Sequence, residues 1–217
     1  KAADTQVGDD FQINPEQIES RYFGILTKIF NVGRFASQFD FDGDIDSVPD
    51  NLENEDKWIL AEFSELLDKA KTGYSGMDIY TAAQGIKIFS TGVFASHWLE
   101  MAKTRLYNDD ASATWTLHRV FRDMMSILSP ICPFFTHHLS TTLYGKSAVD
   151  VDTFPEKPLL DTSDFTSMTE SLIEFNSQVW KAKKDAGISL AAPISGHKIP
   201  VSLKSIEQAL VSMHKLE

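Results

Sequence analysis

The sequence predicts a mainly α protein: an antiparallel helical bundle carrying a small α+β appendage at its C-terminal end. Three observations predict it. Apolar residues recur at helical spacing through most of the chain up to Tyr144-Gly145. Turn-forming text at Gly73 to Gly76, Asn108-Asp109-Asp110 and Gly145 cuts that pattern into bundle-length segments joined by short returns. Only after Gly187 does the pattern change to short alternation, in Ile188-Ser189-Leu190 and Lys198 to Leu203, which reads as strands. The expected division is a bundle over residues 1–155 and a C-terminal helix plus appendage over 156–217.

The elements follow in order. Residues 1–13 read as an irregular lead-in, and Asn14-Pro15-Glu16-Gln17 as a helix start: a capping side chain, proline in the first turn, then acid near the positive end of the dipole. This first helix is expected to run to about Gln38, with Ile18, Tyr22, Ile25, Ile29, Val32 and Ala36 as its core-facing stripe. An acidic connector, Asp40 to Asp50, contains no basic residue. A second helix spans about Glu55 to Lys71 on Trp58, Ile59, Phe63, Leu66 and Leu67, and a long third helix about Met77 to Tyr107. The fourth begins near Ser112, kinks at Ser129-Pro130-Ile131-Cys132-Pro133 because each proline removes a backbone donor, and resumes to Tyr144. Lys146 to Ser163 reads as a turn-rich connector, Asp164 to Ala186 as a fifth helix, and Ser205 to Lys215 as a last one.

Bulk properties bound the function. The chain of 217 residues, 42% hydrophobic and 24% charged, has an ordinary globular composition. Its one cysteine, Cys132, excludes an internal disulfide and suggests a reducing, cytoplasmic setting. No apolar run is long enough to span a bilayer, and there is no signal-peptide pattern. Lys1 is not a translation start, so the chain is expected to be a piece of a longer protein or a processed product. A net charge of −11 argues against a general nucleic-acid coat, DNA included, but leaves room for a local basic patch.

One helix face stands out. Gly24, Lys28, Asn31 and Phe35 fall at i, i+4, i+7 and i+11 of the first helix, opposite its apolar stripe. Leaving a phenylalanine ring in water costs roughly 2 kcal/mol. Either another part of the chain covers it, or it is a stacking platform for an unpaired base with Asn31 and Lys28 supplying hydrogen bonds and charge. On the third helix Gly92, Ser96, Leu99 and Lys103 share a face at regular helical spacing, with Glu100 beside them. A carboxylate there can accept from a base amino group, as carboxylates do with cytosine N4, or simply pair with Lys103.

Enzymatic readings fail. There is no Gly-rich phosphate loop and no dinucleotide fingerprint. Cys132, between two prolines in an apolar run, reads as a structural thiol. His137-His138 point about 100° apart on a helix and cannot readily share a metal. No catalytic residue and no metal site are assigned. The nearest approach to one is Asp42, Asp44, Asp46, Asp50 and Glu53, spaced like a calcium loop except that Ser47 occupies the glycine position and Pro49 follows. A calcium-responsive helical interaction module is the alternative from another class.

Several runs, in order, carry a resemblance: Lys28 to Phe35 (K-I-F-N-V-G-R-F), Asp56-Lys57-Trp58-Ile59-Leu60, Ala82-Ala83-Gln84, Trp98 to Tyr107 (W-L-E-M-A-K-T-R-L-Y) and Leu128 to Phe134 (L-S-P-I-C-P-F), with a weaker echo over Trp180 to Leu190. They resemble the anticodon-binding region of the class I aminoacyl-tRNA synthetases for branched aliphatic amino acids. Gly8-Asp9-Asp10-Phe11 and the Leu99-Glu100 text look most like the valine-specific branch, with the isoleucine- and leucine-specific branches as alternatives.

The resemblance implies that Lys28, Asn31, Arg34, Phe35, Leu99 and Glu100 hold splayed anticodon bases, and the mechanism expected for such a surface adds Lys103, Arg105, Lys181, Lys183 and Lys184 to the RNA-binding set. Phe35 would stack a base, Asn31 and Glu100 would read base edges, and Lys28, Arg34, Lys103 and Arg105 would meet phosphates. Lys181, Lys183 and Lys184 would hold the backbone further along. The implied partners are a valine-accepting tRNA and the enzyme's own catalytic and editing domains. No cofactor is implied for this fragment, ATP and magnesium belonging to the catalytic part of a complete ligase.

Overall fold

The computed structural model describes residues 15–17, 23–147, 154–158 and 164–217. The Gly8 to Phe11 text, Ile18 and Tyr22 lie outside the described residues, as does part of the 146–163 connector.

The chain is built from α1 (Pro15–Gln17), α2 (Phe23–Ala36), α3 (Asn54–Ser75), α4 (Ile79–Ile88), a π-helical segment (Phe89–Trp98), α5 (Leu99–Leu106), α6 (Ala111–Leu128), α7 (Pro133–Tyr144), α8 (Thr169–Asp185) and α9 (Glu207–His214). The helix ends obey local chemistry. Glu53 and Asp56 form a reciprocal capping box at the start of α3. Asp78 caps α4 through the Thr81 N–H, and Asp110 caps α6 through the Ala113 N–H. Pro133 opens α7 at its first turn, and Gly145, at φ 65°, closes it in the left-handed region that favours glycine.

Contacts between helix ends show the alternation. Asp56, at the start of α3, meets Arg105 at the end of α5 and Ser112 at the start of α6. Tyr74, at the end of α3, donates its hydroxyl hydrogen to the Ile127 carbonyl near the end of α6. So α3 and α6 run one way, and the continuous rod α4–π–α5 runs the other. His118 near the middle of α6 lies by Tyr144 at the end of the shorter α7, which returns antiparallel. Gly33 of α2 lets Phe121 and Leu139 approach to where a Cβ would be crowded, at 3.0 and 3.2 Å. The core is fully buried Trp58, Phe63, Trp98, Phe94, Leu117 and Phe121, and it continues through Leu172, Val179, Leu203 and Leu210 of the C-terminal segment.

Two features depart from the sequence reading. The rod expected as one α-helix contains the π segment Phe89–Trp98. There Phe89 stacks on Phe94 (5.9 Å between ring centres, 10° between planes) and Phe94 on Trp98 (5.2 Å, 5°). A wider turn brings i and i+5 one above the other, which fits the Phe89–Phe94 step, while Phe94 and Trp98 stack at i and i+4 as the rod returns to α-helix at Leu99. The appendage is also not α+β. Among the described residues there is no strand, only a bridge between Ile194 and Leu216. Pro200 instead starts a 3₁₀ turn over Val201–Ile206, and Ile188 to Leu190 follow Gly187 (φ 67°) as an exposed turn. No described helix is long and apolar enough to cross a membrane.

Candidate nucleic-acid interface

The α2 face is open. Lys28, Asn31 and Arg34 are exposed and Phe35 is half-buried, while Ile29, Val32 and Ala36 face the core. Lys28 and Phe35, seven residues apart, lie roughly 10 Å apart along the helix. Among the described residues no carboxylate pairs with Arg34. The Lys28 ammonium is anchored: it donates to the Thr91 carbonyl at 2.5 Å and to Ser96 Oγ at 2.9 Å, both in the π segment. Burial lowers its pKa, and the nearby Glu100 carboxylate pulls the other way. Glu100 itself receives Lys103 at 2.6 Å, in a pair whose side chains are each 40% exposed. At the other end of the face Phe35 makes edge contacts with Phe39 (4.9 Å) and Tyr107 (6.0 Å). Helix α2 and the π–α5 rod thus lie side by side in the same sense, with Lys28 beside Ser96 and Phe35 beside Tyr107.

This surface offers hydrogen-bonding groups, cations and half-open rings on a rigid two-helix ledge, the chemistry that single-stranded nucleic acid requires. Residues 56–198 match the family described as the anticodon-binding domain of tRNA ligase. The chain belongs to that family. It is similar to the valine–tRNA ligase of Nanoarchaeum equitans, 29% identical over 221 residues that cover 100% of this chain and 28% of that protein. That of Aeropyrum pernix is 30% identical, over 97% of this chain and 26% of the protein. That of Sulfurisphaera tokodaii is 33% identical, over 73% and 20%. The chain therefore spans about a quarter of the length of such relatives.

The structure divides the residues expected at the RNA, of which Lys28, Asn31, Arg34 and Phe35 precede the matched residues 56–198. Lys28, Asn31, Arg34, Phe35, Glu100 and Lys103 come together along the ledge, and Lys181 and Lys184 are exposed on α8. Three are turned inward. Leu99 is 6% exposed, because the π segment shifts the register on which its surface placement relied. Lys183 is fully buried and donates to the carbonyls of Leu190 (2.7 Å) and His214 (2.8 Å).

Arg105 grips Asp56 with two parallel bonds (3.0 and 2.7 Å) and also reaches Glu55, Asp110 and Ser112. Burial opposes its charge, but these carboxylates hold its pKa above the ordinary value. Burial likewise raises the Asp56 carboxyl, against Arg105 and the Trp98 indole N–H, which donates at 3.1 Å. Two of the family-like runs, Asp56 to Leu60 and Trp98 to Tyr107, thus meet in one structural lock, and Arg105 is not available to a phosphate.

The acidic connector does not gather into a cation site. Asp46 takes Arg122 at 2.7 Å and Arg119 at 3.2 Å, and the Arg122 hydrogen bond lowers its pKa. Among the described residues no three acidic, histidine or cysteine side chains converge as metal ligands. A cavity between α6, α7 and residues 154–158 is floored by the same arginines, which are spent on Asp46, Asp123 and the Glu156 carbonyl. The sequence reading missed Thr91 and Ser96 as the seat of Lys28, and Tyr107 as Phe35's neighbour. Tyr107 carried a signal, an aromatic ring directly after the buried Leu106 at the helix end.

Proposed function

We propose that this chain is the anticodon-reading part of a valine–tRNA ligase, an ATP-dependent enzyme whose catalytic chemistry lies outside these residues. The observation that carries the reading is the ledge itself: Asn31, Arg34 and the half-open Phe35 ring on α2, set beside Glu100 by the Lys28–Ser96 contact. Phe35 stacks an unpaired base, Asn31 and Glu100 meet base edges, and Arg34 lies against phosphate. Lys181 and Lys184 extend the cationic path. The names of the similar proteins support valine as the amino acid. In the complete enzyme this grip orients the tRNA toward cytoplasmic valine attachment, with ATP and magnesium handled by the catalytic part.

The test is a filter-binding titration of the chain with a valine-accepting tRNA and with the same tRNA carrying a different anticodon. The anticodon change and Phe35→Ala should each weaken binding, the latter by roughly 1–3 kcal/mol. Equal affinity for both RNAs, unaltered by Phe35→Ala, would overturn the reading.

A further inference from the structure

We propose that Tyr107 is a second stacking surface, taking an unpaired base of the RNA loop next to the one on Phe35. The inference rests on the α2 reading above and extends the site to a residue on a different helix.

Tyr107 is a large ring left 62% exposed, yet it is not loose. Its ring meets Phe35 at 6.0 Å with the planes at 90°, and Phe39 at 5.5 Å and 62°. Such edge-to-face contacts fix a ring while leaving much of its surface free. No described group bonds its hydroxyl, so the ring carries an unused polar handle toward solvent.

The backbone beneath it is held from both sides. The Tyr107 N–H donates to Lys103 O, the Asn108 N–H to Arg105 O and the Asp110 N–H to Arg105 O. Asp109 turns the chain at φ 56°. The Arg105 side chain bridges the turn by gripping Asp110 and Ser112 beyond it and Asp56 behind it. A ring on so braced a turn loses little freedom when a base settles on it, which is what preorganised stacking requires.

Continuity selects the occupant. The ring borders Phe35, and Arg34, exposed and with no described carboxylate partner, precedes Phe35 on α2. Aromatic surface beside a cation fits a nucleobase and its phosphate better than an apolar protein segment. A base standing on Phe35 would have its neighbour against Tyr107.

The test uses the full chain and an RNA hairpin bearing the anticodon loop of a valine-accepting tRNA, with 2-aminopurine placed at one loop position at a time. Tyr107→Ala and Tyr107→Leu should each weaken binding about tenfold, and Tyr107→Phe should stay within about twofold. The fluorescence change should vanish at a loop position different from the one silenced by Phe35→Ala. Because Tyr107 stands outside the core, each variant should still fold, with a melting temperature lowered only by the lost edge contacts with Phe35 and Phe39, and Tyr107→Leu keeps apolar bulk should Tyr107→Ala misfold. Binding by Tyr107→Ala within about twofold, with Phe35→Ala still defective, overturns this inference and spares the α2 reading. Wild-type affinity in Tyr107→Leu overturns stacking in favour of packing. Indifference to both Phe35→Ala and Tyr107→Ala, or no binding by the unsubstituted chain, sinks both.

Discussion

Arg105 and Lys183 are both basic residues drawn inside the protein, and they are held in opposite ways. Arg105 sits among carboxylates: Asp56 and Glu55 on α3, Asp110 across the turn. Lys183 has no acidic partner among the described residues and spends its ammonium on two carbonyls, those of Leu190 and His214. Beyond Lys183 lies a neutral chain of hydrogen bonds, in which Asn176 donates to His97 Nδ1 (2.8 Å) and accepts from His214 Nε2 (2.7 Å). One site stores opposite charges close together; the other dissolves a single charge in dipoles. A charge facing charges leaves those charges behind when it is removed, whereas a charge facing dipoles leaves only unfilled hydrogen bonds.

Replacing both cations with methionine turns this difference into a measurement. Arg105→Met strands buried Asp56 and Glu55, and should cost about 3–5 kcal/mol in urea unfolding. Lys183→Met keeps the chain's bulk, orphans two carbonyls and relieves a buried charge, so the loss should be about 1–3 kcal/mol. Equal losses would mean that the carboxylates around Arg105 are better solvated than their burial indicates.

These two residues also show what the sequence made legible. The helices were, because periodic burial is written locally: Trp58, Ile59 and Phe63 in α3, or Val120, Phe121 and Met124 in α6, face inward as spacing predicts. Lys183 was legible too. It follows Leu172, Phe175 and Val179 at i, i+3, i+7 and i+11, on the buried stripe of α8, and only its charge suggested otherwise. The partners of Arg105 could not be read, since Asp56 is 49 positions away and meets it only through the bundle's topology. The candidate ledge divides the same way. The α2 face followed from ordinary helical spacing, but the surface expected around Leu99 failed because the π segment changes the period by which residues share a face.

The Lys183 neighbourhood should respond to acid. Burial pushes the His97 and His214 imidazoles down to about 4, with Lys28 adding to the effect at His97 and Lys183 at His214. His214 Nδ1 is buried with no described partner, so a proton placed there finds no acceptor. Between pH 6.5 and about 4 an unfolded histidine binds a proton that the folded one refuses, so stability falls as pH falls through that window. Each group contributes at most about 1.4 kcal/mol per pH unit. Glu55, whose pKa burial raises, works in the opposite direction. Unfolding curves of His214→Gln against the parent at several pH values therefore isolate the histidine contribution. A variant with the parent's acid slope would place the sensitivity elsewhere.

The smallest effect belongs to the exposed charge pair on the candidate surface. Glu100 and Lys103 bond at 2.6 Å one helical turn apart, but water reaches both and screens them. Lys103→Ala should change stability by less than about 0.5 kcal/mol, and a double-mutant cycle with Glu100→Ala should return a coupling of the same size. A pair this weak can be exchanged for a base edge on one side and a phosphate on the other without disturbing the bundle, as a recognition surface requires. A coupling above about 1 kcal/mol would instead place the pair with Arg105, as part of what holds the helices together, and remove Glu100 from the groups free to meet RNA.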